Sequence, residues 1–162
     1  MVVILMGVSG AGKTTIGRKL AGELGWSFYE GDDFHSAASI EKMSQGIALT
    51  DDDRRPWLAA LRALIERCLE KKENAVLACS ALKQSYRRVL QGEDEAEVVF
   101  VYLEVPPRLL AERLEHRAGH YAKRDLLPSQ LATLEEPENA VTVDASGTPE
   151  EIVAVIRGKL NV

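Results

Sequence analysis

Gly7-Val8-Ser9-Gly10-Ala11-Gly12-Lys13-Thr14 is the stretch whose reading decides the fold. It fits the pattern GxxxxGK(S/T), and its surroundings suit that pattern. Val2 to Met6, just before it, is a short continuous apolar run, as expected of a strand buried on both faces. After it, Ile16, Leu20 and Leu24 recur every four residues, which predicts a helix over Lys13 to Leu24 ended by Gly25. The glycines let the backbone curl so that successive N–H groups point into one concavity. The helix N-terminus adds a positive dipole end. Such a loop cradles the phosphates of a nucleoside triphosphate, here expected to be ATP with magnesium. Lys13 is placed to reach the β- and γ-phosphates, and the Thr14 hydroxyl to ligate the bridging magnesium. The candidate nucleotide contacts are thus Gly7, Val8, Ser9, Gly10, Ala11, Gly12, Lys13, Thr14 and Thr15. The motif alone does not choose between a kinase, a hydrolase and a switch.

Strand-like and helical segments alternate outward from the loop. Trp26 to Glu30, Ala75 to Cys79, Val98 to Leu103 and Ala140 to Val143 read as further strands. Pro56 is expected to open a helix whose apolar stripe runs from Trp57 to Leu69. Ala81 to Leu90 and Pro107 to Arg117 read as helices. Thr148-Pro149-Glu150-Glu151 is a capping box that opens a final helix. This alternation implies an α/β fold, a parallel sheet with helices on both faces, whose ligands sit beyond the carboxyl ends of the strands.

Composition narrows the function classes. The 162 residues suit one compact domain, with 46% hydrophobic and 28% charged residues, as in an ordinary globular protein. A net charge of -5 argues against general nucleic-acid binding, which needs a broad basic surface. No segment reads as a signal peptide or a membrane span. Cys68 and Cys79 form no CxxC pair and read as buried thiols in a reducing cytoplasm.

Glu30-Gly31-Asp32-Asp33-Phe34-His35 falls where the second strand should end. A kinase needs one carboxylate to take the proton of the acceptor hydroxyl, and it needs help with the metal. Asp32 is placed for either job, although a solvated acidic turn would look the same. Cys79-Ser80 ends the third strand, where many phosphate-loop proteins place a magnesium-holding Asp. That Asp is absent here, so the metal is expected to depend on Thr14, water and Asp32.

Further blocks point one way. They are Gly46-Ile47-Ala48-Leu49-Thr50-Asp51-Asp52-Asp53-Arg54-Arg55-Pro56-Trp57-Leu58, then Cys79-Ser80-Ala81-Leu82-Lys83-Gln84-Ser85-Tyr86-Arg87, and later Ser129-Gln130-Leu131-Ala132-Thr133-Leu134-Glu135. With the loop and the acidic cluster, they resemble the gluconokinase family, small P-loop sugar-acid kinases related in fold to shikimate kinase. The resemblance runs from about residue 2 to 137. It implies the P-loop NTPase fold, with a five-stranded parallel sheet in the order 2-3-1-4-5 and a helical lid. All of this would lie in a single domain over 1–162, with the lid at about 113–130. It implies ATP-dependent phosphorylation of D-gluconate to 6-phosphogluconate, which feeds the pentose phosphate pathway. It makes Asp32 the candidate base and a metal helper, with Asp33 the weaker alternative as base, and places His35, Arg54, Lys83 and Arg87 on the acceptor side. Arginine binds a carboxylate in bidentate fashion, as gluconate requires. Read alone, Arg54 could equally pair with Asp51, Asp52 or Asp53, and Lys83 and Arg87 could lie on a solvated helix face. Many relatives are homodimers, though no pattern in this chain marks an interface.

The lid segment, Arg113 to Arg124, carries Arg113, Arg117, Lys123 and Arg124 against the single acid Glu115, a local balance of +3 before histidine. Closure over the nucleotide would exclude water. Arg117 and Lys123 are candidates to neutralise charge on the transferring group, and Arg113 to stack on adenine. Where many gluconokinases carry a Phe-Met-Pro-like run after the lid His, this chain has Tyr121-Ala122-Lys123-Arg124.

Overall fold

The computed structural model describes residues 1–116 and 121–162, the side chains of 121–125 excepted. Five parallel strands form one sheet in the order β2-β3-β1-β4-β5. They are β1 (Val2–Met6), β2 (Ser27–Glu30), β3 (Ala75–Ala78), β4 (Val98–Glu104) and β5 (Val141–Asp144). The helices are α1 (Lys13–Leu24), α2 (Ala37–Ser44), α3 (Asp51–Glu70), α4 (Gln84–Gln91), α5 (Pro107–Glu115), α6 (Tyr121–Thr133) and α7 (Pro149–Leu160). A 3-10 turn, Gly31–Phe34, follows β2 directly.

The run from Val2 to Met6 is apolar throughout because β1 is central and every one of its side chains is buried. The period of two divides them between the faces. Val3 and Leu5 pack with Ile16 and Leu20 of α1, Leu110 of α5 and Ile156 of α7. Val2, Ile4 and Met6 pack with Leu61 and Ile65 of α3 and Leu90 of α4. Among the described residues no helix is long and apolar enough to cross a membrane.

Two helix starts differ from the sequence reading. The long helix begins at Asp51, ahead of Pro56, which falls inside it. Thr50 and Asp53 close a capping box there: the Asp53 N–H donates to Thr50 Oγ1 at 3.1 Å, and the Thr50 N–H to Asp53 Oδ2 at 2.9 Å. That box, with Asp51 and Asp52 at the positive dipole end, outweighs the one amide donor that proline removes. The Thr50 N–H and the Lys42 ammonium hold the Asp53 carboxyl down at about 2. In the other case, α4 cannot begin at Ala81, whose φ of 45° is left-handed, and it starts after Lys83 instead.

β1 has β3 on one side and β4 on the other, so the connections from its two neighbours diverge at its carboxyl end. The crevice this opens holds the phosphate loop. The loop's Gly7 N–H donates to Ser80 O, past the end of β3, at 3.3 Å.

Candidate active site

α1 opens on Gly12, whose φ of 94° few other residues adopt, and no side chain caps the helix. Its first-turn N–H groups therefore face the crevice as an anion site. The Lys13 ammonium arches back over the loop and donates to Gly7 O at 2.9 Å and Val8 O at 3.0 Å. Thr14 Oγ1 donates to Glu30 Oε2 at 2.6 Å. With its proton committed to a carboxylate, the Thr14 oxygen keeps its lone pairs for a cation. Among the described residues no cluster of His, Cys, Asp and Glu could hold a metal by itself. The Thr14 hydroxyl and the Glu30 carboxylate beside it are hard oxygen donors, of the kind that magnesium takes alongside water and phosphate oxygens.

Beside the loop lies a cavity of about 400 Å³ lined by Lys13, Asp32, His35, Arg54, Trp57 and Gln130 among others. Ile40, Met43, Leu49 and Leu126 add an apolar wall drawn from α2, α6 and the connection before α3. Each polar group reaches the cavity by a different route. Asp32 sits on the 3-10 turn, where Gly31 presses so close to β3 that an added Cβ would meet Ala78 O at 2.5 Å. The Trp57 indole N–H holds the Gly31 carbonyl at 2.8 Å. The His35 ring stacks on Trp57 with centroids 4.4 Å apart, and its Nε2 lies 3.9 Å from Asp32 Oδ1. Burial pushes the His35 imidazole below its ordinary value, against the opposing pull of Asp32. Its Nδ1 is buried without a hydrogen-bond partner among the described residues.

Arg54 is set apart by what it does not pair with. Asp51 goes to Lys83 and Tyr86, Asp52 to Arg55, and Asp53 to Lys42 and Thr50. Arg54 therefore keeps no carboxylate within ion-pair distance among the described residues, yet it lines the cavity. Its Nη1 donates to Leu49 O at 2.7 Å and to the Tyr86 hydroxyl at 3.2 Å.

The family model described as AAA domain matches residues 2–137. A gluconokinase of Gluconobacter oxydans (strain 621H) is 46% identical over 154 residues, covering 93% of this chain and 86% of that protein. The chain belongs to the gluconokinase family. Among solved structures, a gluconokinase from Sinorhizobium meliloti 1021 is 42% identical with a TM-score of 0.83, covering 99% of this chain and 95% of that one. An unliganded sugar kinase from Janibacter sp. HTCC2649 is 40% identical with a TM-score of 0.91, covering 99% and 94%.

Not every candidate of this gluconokinase-family chain reaches the cavity. Arg87 is buried away from its lining and donates from Nη1 to Ala81 O at 2.9 Å and Leu82 O at 3.1 Å. It fastens the left-handed turn at Ala81. Lys83 also lies outside the lining, clamped on Asp51. Arg113 lines a second cleft, of about 450 Å³, with Thr15, Gly147 and Pro149. Its guanidinium is held between Gly10 O at 3.3 Å and Ala145 O at 2.7 Å. Arg117 and the side chain of Lys123 lie outside the described residues.

Two contributors escaped the sequence reading. Glu30, on the last residue of β2, holds Thr14; it stood in the acidic run but ahead of its turn. Gln130 of α6 accepts from the Ser9 N–H at 2.7 Å and donates to Ser9 Oγ at 3.0 Å. An amide donor can only meet the carbonyl side of a carboxamide, so the Gln130 orientation is settled by Ser9. The signal was present in the Ser129-to-Glu135 block, but nothing in one dimension ties that block to the phosphate loop.

Proposed function

We propose that this chain transfers the γ-phosphoryl group of ATP to the terminal hydroxyl of D-gluconate, giving 6-phospho-D-gluconate. One observation carries the choice of acceptor. Arg54, bare of any carboxylate partner among the described residues, shares a cavity with Lys13 and Asp32. A guanidinium there suits an acceptor with a carboxylate at one end and a hydroxyl at the other.

Lys13 leaves the Gly7 and Val8 carbonyls for the phosphates, and the loop N–H groups hold the same oxygens. Magnesium, when bound, would screen the phosphate charge; Thr14 and Asp32 would hold it, and Glu30 fixes the Thr14 hydroxyl. Asp32 takes the acceptor proton as the new P–O bond forms, and it is exposed enough to pass that proton to water. His35, neutral and buried, offers one ring nitrogen to the acceptor's hydroxyl row. Lys83 and Arg87 support the acceptor wall through Asp51 and the Ala81 turn. Arg113 borders the second cleft, where an adenine would lie beyond the phosphate loop. The enzyme is placed in the cytoplasm, which fractionation would test, and light scattering would tell a monomer from a homodimer.

The test is ADP release coupled to an optical readout, across a panel of sugar acids with Mg-ATP. Gluconate-dependent turnover is expected. ATP turnover indifferent to every sugar acid would sink the proposal.

A further inference from the structure

Tyr86 stands between the core and the cavity. Its ring is buried in the cluster that holds Trp57 and Leu61, and its hydroxyl emerges beside Arg54. A phenol has one proton to give, and Tyr86 gives it to Asp51 Oδ1 in a short contact. Its oxygen is then left with lone pairs only, and Arg54 Nη1 donates to them at 3.2 Å. Asp51 is held in turn by the Lys83 ammonium, at 2.9 and 3.2 Å from its two oxygens. The polarity of the chain is therefore forced: Lys83 donates to Asp51, Tyr86 donates to Asp51, and Arg54 donates to Tyr86. The Asp51 carboxyl is driven below its ordinary value by the Tyr86 hydroxyl and then by Lys83, so it stays an acceptor.

This chain uses up one edge of the Arg54 guanidinium. Both Nη1 hydrogens are spent, one on Leu49 O and one on Tyr86. Among the described residues Nε and Nη2 have no partner. Those two nitrogens are the fork that a carboxylate fits with two parallel hydrogen bonds. Its direction is set by whatever holds Nη1.

We propose that Tyr86, held by Asp51 and Lys83, is a positioning residue that aims the free edge of Arg54 at the acceptor carboxylate. It touches no reacting atom and acts through Arg54 alone. The inference rests on the gluconate reading and adds a geometric cause for acceptor affinity.

Tyr86→Phe removes the hydroxyl and keeps the ring in the core. It is expected to raise KM for gluconate about 5–10-fold, because the Arg54 edge loses its aim but keeps its charge. The kcat, the KM for ATP and the melting temperature should stay close to wild type. Asp51→Asn should raise the same KM, and the double variant should do no worse than the larger single one. In an Arg54→Lys background, Tyr86→Phe should change KM less than twofold, since an ammonium has no fork to aim. An unchanged gluconate KM in Tyr86→Phe, additive effects of the two single changes, or the same rise in the Lys background would each overturn the proposal. Wild-type turnover with gluconate is the control: its absence defeats the acceptor reading itself, whereas its presence with an indifferent Tyr86→Phe defeats only this inference.

Discussion

Trp57 and Gly31 are joined by a 2.8 Å hydrogen bond from the indole N–H to the backbone carbonyl, between α3 and the turn that carries Asp32. The same indole stacks on His35. One side chain thus sets the height of the candidate base and supports the ring next to it. Trp57→Phe leaves the Gly31 carbonyl buried without its donor. We expect a loss of about 1–3 kcal/mol in stability and a fall in kcat larger than any change in KM for ATP. Urea unfolding and steady-state kinetics check both.

Asp32→Asn keeps size and hydrogen-bonding reach but cannot take a proton. It should lower kcat by about 100-fold or more, while ATP affinity stays within a few-fold. Near-normal turnover in this variant would remove Asp32 as the base.

Arg87→Ala leaves the Ala81 and Leu82 carbonyls without their charged donor and opens a gap beneath a strained turn. About 2–3 kcal/mol of stability should be lost, with the gluconate KM of the surviving folded enzyme moving little. A large KM rise with unchanged stability would instead make Arg87 a direct acceptor contact.

His35 governs the acid side of the stability profile. Its imidazole is buried and its pKa lies below the ordinary 6.5. The unfolded chain takes up this proton near that value, whereas the native protein refuses it until the pH is lower still. The contribution is therefore fully present above pH 6.5 and declines as pH falls, levelling once the native ring protonates. Urea midpoints from about pH 8 to about pH 5 should fall more steeply for wild type than for His35→Gln.

Both thiols are buried, and desolvation drives Cys79 up to about 12 and Cys68 above its usual value. Neither should react with a disulfide reagent at neutral pH in the native protein, and both should react once it is unfolded in guanidinium. Rapid native labelling at Cys79 would contradict its burial.

Much of this was legible in one dimension. The uninterrupted apolar run Val2 to Met6 already required a strand covered on both faces, and β1 is the central strand. The Thr148 capping box appeared where α7 begins, because caps are local chemistry. Pro56 misled because Thr50 and Asp53 settle the start of α3 before proline is reached. Ala81 misled because only the chain's path past the end of β3 forces its left-handed turn.

The sequence by itself determined the phosphate loop and the alternation that makes a parallel sheet. Those depend on spacing and local backbone preference, which the chain carries in order. The tertiary structure alone decided which charges face the cavity. Asp51, Asp52 and Asp53 look interchangeable as partners for Arg54 in the sequence. Only the fold brings Lys83, Lys42 and Tyr86 to the acids, and so leaves Arg54 without one among the described residues. Partners distant along the chain compete for the same carboxylates, and that competition is settled by distance in space.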